Sequence, residues 1–289
     1  MKKFLNVFLI LLLCSVSAFS LNFDFSDDGV LTISGEGSMP DYIYRDGNYK
    51  NRPWQHLVEK IESVIISEGV DHIGGYCFYE CPNLKSVSIA GSVKSIGDDA
   101  FKKCRRLSDL KIEEGLEIIN SGAFANCMAL EHLILPDSIH TLKDSVFKSC
   151  RNLKDIKFPS NIKMIQGVTF RDCQSLKNVI LPDSIESLGG ATFEDCIELE
   201  SIKLPNNLKT IEGSLFANCI KLKEINIPNS VEVIEDHAFS GCESLTSVHI
   251  PEGVRTLGIS VFKDCKNLEY ANFPDSIERV FRSSPKVSR

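Results

Sequence analysis

Apolar residues recur along most of the chain in one fixed order. In residues 130–152, L-E-H-L-I-L-P-D-S-I-H-T-L-K-D-S-V-F-K-S-C-R-N, the apolar positions are Leu130, Leu133 and Leu135, then Ile139 and Leu142, then Val146, Phe147 and Cys150. The same order returns 23 residues later as L-K-D-I-K-F-P-S-N-I-K-M-I-Q-G-V-T-F-R-D-C-Q-S. The period is sharpest at Cys81, Cys104, Cys127, Cys150, Cys173, Cys196, Cys219, Cys242 and Cys265, each with a phenylalanine three residues before it, from Phe78 to Phe262. No interval contains an insertion or a deletion. Self-similarity at a fixed period of this length marks a stack of equivalent units.

Within a unit the spacing changes character. Leu130, Leu133 and Leu135 end in the period-2 alternation of a short strand. Pro136 removes a backbone donor and turns the chain. Ile139 and Leu142 form a second inward-facing pair, and Val146 and Phe147 open a short helical or irregular turn that closes at Cys150. One unit cannot bury these side chains alone, whereas stacked units place each apolar position in a continuous row. The predicted fold class is a repeat solenoid, α/β to mostly β, with short parallel strands on one face stacked at ~4.8 Å per unit. Residues 61–281 hold nine full units and one partial unit.

The two ends depart from the period. Residues 1–20 open with Lys2 and Lys3, continue with an apolar run at 4–13, and place Ala18 and Ser20 where a signal peptidase needs small residues. They predict a signal peptide and therefore a secreted or cell-surface protein. A membrane anchor needs ~20 apolar residues, and Leu13 is a poor residue to precede a lipid on Cys14. Residues 21–60 predict a cap, with a hairpin turning at Asp28-Gly29 and the single tryptophan, Trp54, close behind. Asp24, Asp27, Asp28 and Glu36 lack the spacing of a calcium loop and read as a solvated turn. At the other end, residues 268–281 lack the phenylalanine and cysteine of a completed unit, and the basic tail 282–289 has no pattern. This end is expected to fray and to invite self-association.

The spacing L-x-x-L-x-L-P-x-x-L-x-x-I-x-x-x-x-F-x-x-C resembles the BspA-type class of leucine-rich repeats, also called the Treponema pallidum-type class. The segment G-E-G-S-M-P-D-Y at 35–42 is similar to what precedes the repeats in such proteins. The resemblance implies a leucine-rich repeat solenoid and a role in adhesion to host or neighbouring-cell proteins, extracellular matrix components among them.

Charge and candidate chemistry narrow the reading. The net charge is −7, and removal of residues 1–20 takes two lysines and brings it to −9. That balance argues against nucleic acid. The cysteines outside residues 1–20 form a row in which each has two equivalent neighbours, so no disulfide pairing is specified, and buried free thiols are the simpler expectation. Cys77 and Cys81 have no second pair or nearby histidine to make a metal site. The six histidines do not cluster at metal spacing, and no hydrolase or phosphate-loop motif occurs. No inserted loop is present to carry a catalytic site. The expectation is a non-enzyme without cofactor or metal. A further row, Asp71, Lys94, Glu117, His140, Lys163, Glu186, Lys209, Glu232, Arg255, Glu278, mostly alternates in sign. Stacking would place unlike charges side by side, worth ~0.2–1 kcal/mol per pair.

Function then rests on the outward side of the first strand. The residue between the last two apolar positions points away from the core. That row includes Lys111, Ile134, Lys157, Ile180 and Lys203, with His132 and Asp155 in the row beside it. Ile134 and Ile180 are apolar where solvent is expected. These seven residues are the candidate partner-binding site on the concave face expected of a solenoid, with the cap around Trp54 as the second candidate. The alternative function is a structural protein of the cell envelope that self-associates through its solenoid ends.

Overall fold

A computed structural model describes residues 20–42, 44–45, 48–49 and 52–280. The signal peptide, the Cys14 lipid site and the tail 282–289 lie outside the described residues, apart from Ser20. Around nine turns stack into a β-solenoid, and the buried apolar side chains form one cluster running from Leu31 to Phe262. Every apolar position of the unit 130–152 is buried. Among the described residues the only helical element is a 3-10 turn at Gln55–Leu57, so none is long and apolar enough to cross a membrane.

Each turn has three sides hydrogen-bonded to its neighbours. The first side carries the expected strands, such as His132–Ile134, which pairs in parallel with Asp155–Lys157. These strands have four residues at Ser63–Ile66, Ser86–Ile89 and Asp109–Ile112, and three from His132–Ile134 onward, except that the turn after Ser201–Lys203 keeps a single bridge from Asn226 to His249. The proline row explains the change. Ala90 and Glu113 donate their N–H to Ile66 and Ile89 at 3.1 and 3.0 Å. Pro136, Pro159, Pro182 and Pro205 stand at the equivalent positions with no N–H to give, so the ladder loses a bond at its end. Proline here shortens the strand as well as turning the chain.

The second side is also β-structure, which the sequence reading placed on one face only. Residues such as Thr141–Leu142 form two-residue parallel strands, and six of them join the four-residue Val70–Ile73 in one sheet from Gly37–Ser38 to Ser187–Leu188. Their brevity hides them, because two residues cannot display a period.

The third side takes the irregular form of the expected helical or irregular turn. At residues 76–80, Tyr76, Phe78 and Glu80 donate their N–H to Asp98, Ala100 and Lys102 of the next turn at 2.9, 2.7 and 2.9 Å. The backbone reaches this arrangement through two left-handed residues per turn, here Tyr76 (φ 58°) and Glu80 (φ 54°). The pattern repeats through Val168 (φ 62°) and Asp172 (φ 62°) to Ser260 and Asp264. Asn, Asp, Ser and Gly fill many of these sites, as their tolerance of that region leads one to expect. Phenylalanine rings from Phe78 to Phe262 stack inside this side with centroids 4.9–5.9 Å apart and planes within 16° of parallel. Cys104 donates its thiol to the Phe78 carbonyl at 3.1 Å, and the same bond recurs at each later row cysteine. All ten cysteines among the described residues are free.

The N-terminal segment, which has no 23-residue pattern, nevertheless completes all three sides. Strand β1 (Leu21–Phe25) pairs antiparallel with β2 (Val30–Gly35), and β2 pairs in parallel with Ser63–Ile66. Strand β3 (Gly37–Ser38) extends the second side. Trp54 is buried and stacks on Phe78 at 5.3 Å, taking the place of a further phenylalanine. Its indole N–H donates to the Cys77 carbonyl at 3.0 Å. The buried Arg52 guanidinium donates to the carbonyls of Tyr76, Cys77 and Tyr79 at 3.1–3.2 Å. Side chains thus supply donors to the first turn of the third side, where a preceding turn would otherwise give backbone N–H groups.

Candidate interaction surface

The alternation of a short strand sorts the first side into core and surface. Leu133, Val179 and Ile202 point inward and are buried; their neighbours point outward. All seven candidate residues, Lys111, His132, Ile134, Asp155, Lys157, Ile180 and Lys203, are exposed on this face. Ile134 and Ile180 are 69% and 70% exposed, the highest values among the large apolar residues. The strand register sets Ile134 beside Lys157 and Ile180 beside Lys203.

The two outward rows differ in how far their polar groups are already satisfied. In the row beside the isoleucines, His132 Nδ1 lies 2.7 Å from Asp155, and Ser201 donates to Asn178 at 2.7 Å. At the strand entrance Lys154 pairs with Glu131 at 2.5 Å, Lys85 with Glu62 at 2.6 Å and Lys223 with Glu200 at 3.0 Å. The Lys154 ammonium holds the Glu131 carboxyl below its usual range, and Lys223 does the same for Glu200. Lys111 and Lys157 form no ion pair among the described residues, and Lys203 has only Asp183, at 3.5 Å. The central row therefore presents exposed apolar side chains and cations that the fold engages only weakly, Lys157 beside Asp137 and Lys203 beside Asp183.

Other surfaces carry more charge pairs. The alternating row on the second side forms Lys94–Glu117, Lys163–Glu186 and Lys209–Glu232 pairs at 3.9, 3.0 and 2.9 Å. An open cleft lined by Glu59, Glu80, Asn83, Lys103, Arg105 and Arg106 contains both signs, with Lys103 held by Glu80 at 2.6 Å. The cap around Trp54 cannot serve as the second binding surface through its tryptophan, which is 1% exposed. Burial pushes the Cys150 thiol up to about 12, so the cysteine row offers packing rather than a reactive or metal-ligating surface.

Two residues on the first face escaped the sequence reading. Ile65 continues the isoleucine row and is 39% exposed, and Tyr270 continues the His132 row and is 62% exposed. Following both rows to their ends at the 23-residue step finds them. The reading saw alternation in the charged row and around Ile134 and Ile180, and missed it in a serine row. Ser92, Ser138, Ser184, Ser230 and Ser276, spaced by two turns, each donate to a carbonyl of the preceding turn. Gly115, Asn161, Asn207 and Gly253 occupy the turns between. Lysine and isoleucine alternate in the same way from Lys111 to Lys203.

Comparison with known proteins agrees with this architecture. A family model described as a BspA type leucine rich repeat region, in six copies, matches residues 56–177 and 165–285. A leucine-rich repeat protein from Bacteroides ovatus is 24% identical over 89% of this chain and 88% of its own, with a TM-score of 0.56. A T. pallidum leucine-rich repeat protein is 26% identical over 78% of this chain and 87% of its own, with a TM-score of 0.49. One from Eubacterium ventriosum is 23% identical over 91% of each chain, with a TM-score of 0.48. No curated protein matches the chain.

Proposed function

The chain belongs to the BspA-type leucine-rich repeat family, and from that premise we propose that it is an exported adhesin binding another protein with the outward face of its first strands. The solenoid is typical of non-enzymatic binding proteins, and repeat stacks offer extended surfaces for such contacts. The observation that carries the choice of face is the central row: Ile134 and Ile180, about 70% exposed, stand between lysines that have little or no ionic partner in the fold. Apolar anchors beside unneutralised charges give a partner both burial and orientation. Export rests on residues 1–20, with residues 21–60 as cap, 61–281 as solenoid and 282–289 as tail. Matrix or cell-surface proteins are the partners this reading favours.

Photocrosslinking tests the face. A benzoylphenylalanine at position 134 or 180 should join the mature protein to the same partner from a matrix or cell-surface preparation, and one at position 209 on the second side should not. Crosslinks from position 209 alone would move the site. Tyr270 and Phe273, 62% and 36% exposed, support a second reading in which copies associate through the last turns. Size that rises with concentration in light scattering, and falls on Tyr270→Ser, is its signature.

A further inference from the structure

We infer that the first-strand face takes an acidic, proline-rich segment in the polyproline II conformation, lying along the solenoid axis with an acidic residue at every third position. The inference rests on the binding face just proposed and specifies its ligand. It starts from the double period. Lys111, Lys157 and Lys203 recur every second turn, with Ile134 and Ile180 between them. At ~4.8 Å per strand the lysine stems stand ~9.6 Å apart. Successive turns change orientation little here: phenylalanine planes in the turns that carry these residues meet at 8°, 10°, 9° and 7° per step.

Three regular conformations can be compared with that spacing. Polyproline II returns to the same face every three residues, about 9.3 Å. A helix returns approximately after seven residues, about 10.5 Å. An extended strand presents one face every about 6.8 Å. Across the two intervals from Lys111 to Lys203, ~19.2 Å, polyproline II accumulates an error of about 0.6 Å and a helix about 1.8 Å. Only polyproline II keeps step with both the cations and the isoleucines. The first-strand face also offers side chains rather than an open backbone edge. Polyproline II has a fully solvated backbone that asks for no strand pairing, so lying on side chains leaves it no worse satisfied.

Charge selects the ligand's acidic residues. The alternating charges of the second side have an intramolecular purpose, since they pair with one another. The lysine-isoleucine row is used far less: Lys111 and Lys157 form no ion pair among the described residues, Lys157 acts on Asp137 only as one of several groups that hold its carboxyl below the usual range, and Lys203 meets Asp183 at 3.5 Å. Acidic side chains at positions i, i+3 and i+6 would meet the three ammonium groups. Proline rings between them, turned a third of a revolution to either side of the acids, would flank Ile134 and Ile180, whose apolar surface needs no hydrogen bonds.

The test is fluorescence anisotropy with the mature protein and three labelled peptides: six copies of Glu-Pro-Pro, six of Lys-Pro-Pro, and a Glu-Pro-Pro-Pro repeat of equal acid count. The four-residue spacing turns successive acids away from one face. The Glu-Pro-Pro peptide should bind at least tenfold more tightly than either control. Added salt should weaken it, and Lys157→Glu should reduce it at least tenfold, while Lys209→Glu on the second side leaves it unchanged. Equal affinity for the two acidic spacings, no binding at millimolar peptide, or indifference to Lys157→Glu overturns the inference. If crosslinks from positions 134 and 180 still reach a protein partner, only the ligand class falls; if those crosslinks fail, the face itself falls.

Discussion

Phe170 shows how one residue supports the stack. Its ring lies 5.7 Å from both Phe147 and Phe193, nearly parallel to each, and meets Phe158 edge-on. Phe170→Ala should cost ~3–5 kcal/mol in denaturant unfolding, because a stacked neighbour above and below cannot collapse into the space. A loss below about 1 kcal/mol would contradict the core assignment. Val168 is the opposite case. A β-branched side chain at φ 62° carries backbone strain of ~1–2 kcal/mol, whereas the equivalent residue two turns earlier is Gly122 at φ 66°. Val168→Gly should raise stability by ~0.5–1 kcal/mol, the strain relieved exceeding the entropy that glycine adds to the unfolded chain. A lower melting midpoint in the variant would count against it. The thiols predict a pH dependence. Burial raises the Cys150 and Cys265 thiols to about 12 and about 11 from an ordinary 9.0. Above about pH 9 the unfolded chain loses protons that the folded chain keeps, so stability must fall as pH rises toward the folded values. Unfolding followed at stepwise alkaline pH checks this, with ten reactive thiols on titrating the denatured, unreduced mature protein, which lacks Cys14. Flat stability to about pH 10.5, or a count near zero, contradicts the buried-thiol row.

At the scale of elements, legibility depended on whether a residue type is forced by its position. Leu133, Phe147 and Cys150 repeat because each must fill the same buried space, and their rows were readable at once. The second side was not, since two residues such as Thr141 and Leu142 carry too little alternation to separate strand from loop. The third side was read as a helical or irregular turn, and no sequence pattern decided between the two. Its left-handed residues are as different as Tyr76, Asp99, Val168 and His237, which share a backbone conformation and no side-chain chemistry. The cap was readable as a cap only. Trp54 stands 24 residues before Phe78, one off the period, and nothing in the sequence shows that Arg52 reaches three carbonyls. Its contribution can be measured. Arg52→Met should make amides of residues 76–80 exchange faster, with a local loss of ~1–3 kcal/mol, and leave residues 147–193 near wild type, because turns couple mainly to their neighbours. Uniform acceleration along the whole solenoid, or none, would remove Arg52 from the cap.

The whole molecule divides its surface between internal and external use. Second-side charges neutralise each other between turns, and strand-entrance lysines do the same with glutamates. The central row of the first side differs in setting exposed isoleucines among weakly paired lysines, legible in the sequence as a row although its exposure and sparse ion pairing needed the structure. The most direct test is the affinity of the crosslinked partner for a double variant, Ile134→Asp with Ile180→Asp. Both side chains stand outside the core, so circular dichroism and the melting midpoint should stay near wild type, while affinity falls at least tenfold, ~1.4 kcal/mol. Unchanged affinity in the folded double variant would contradict the claim that this face is where the protein binds.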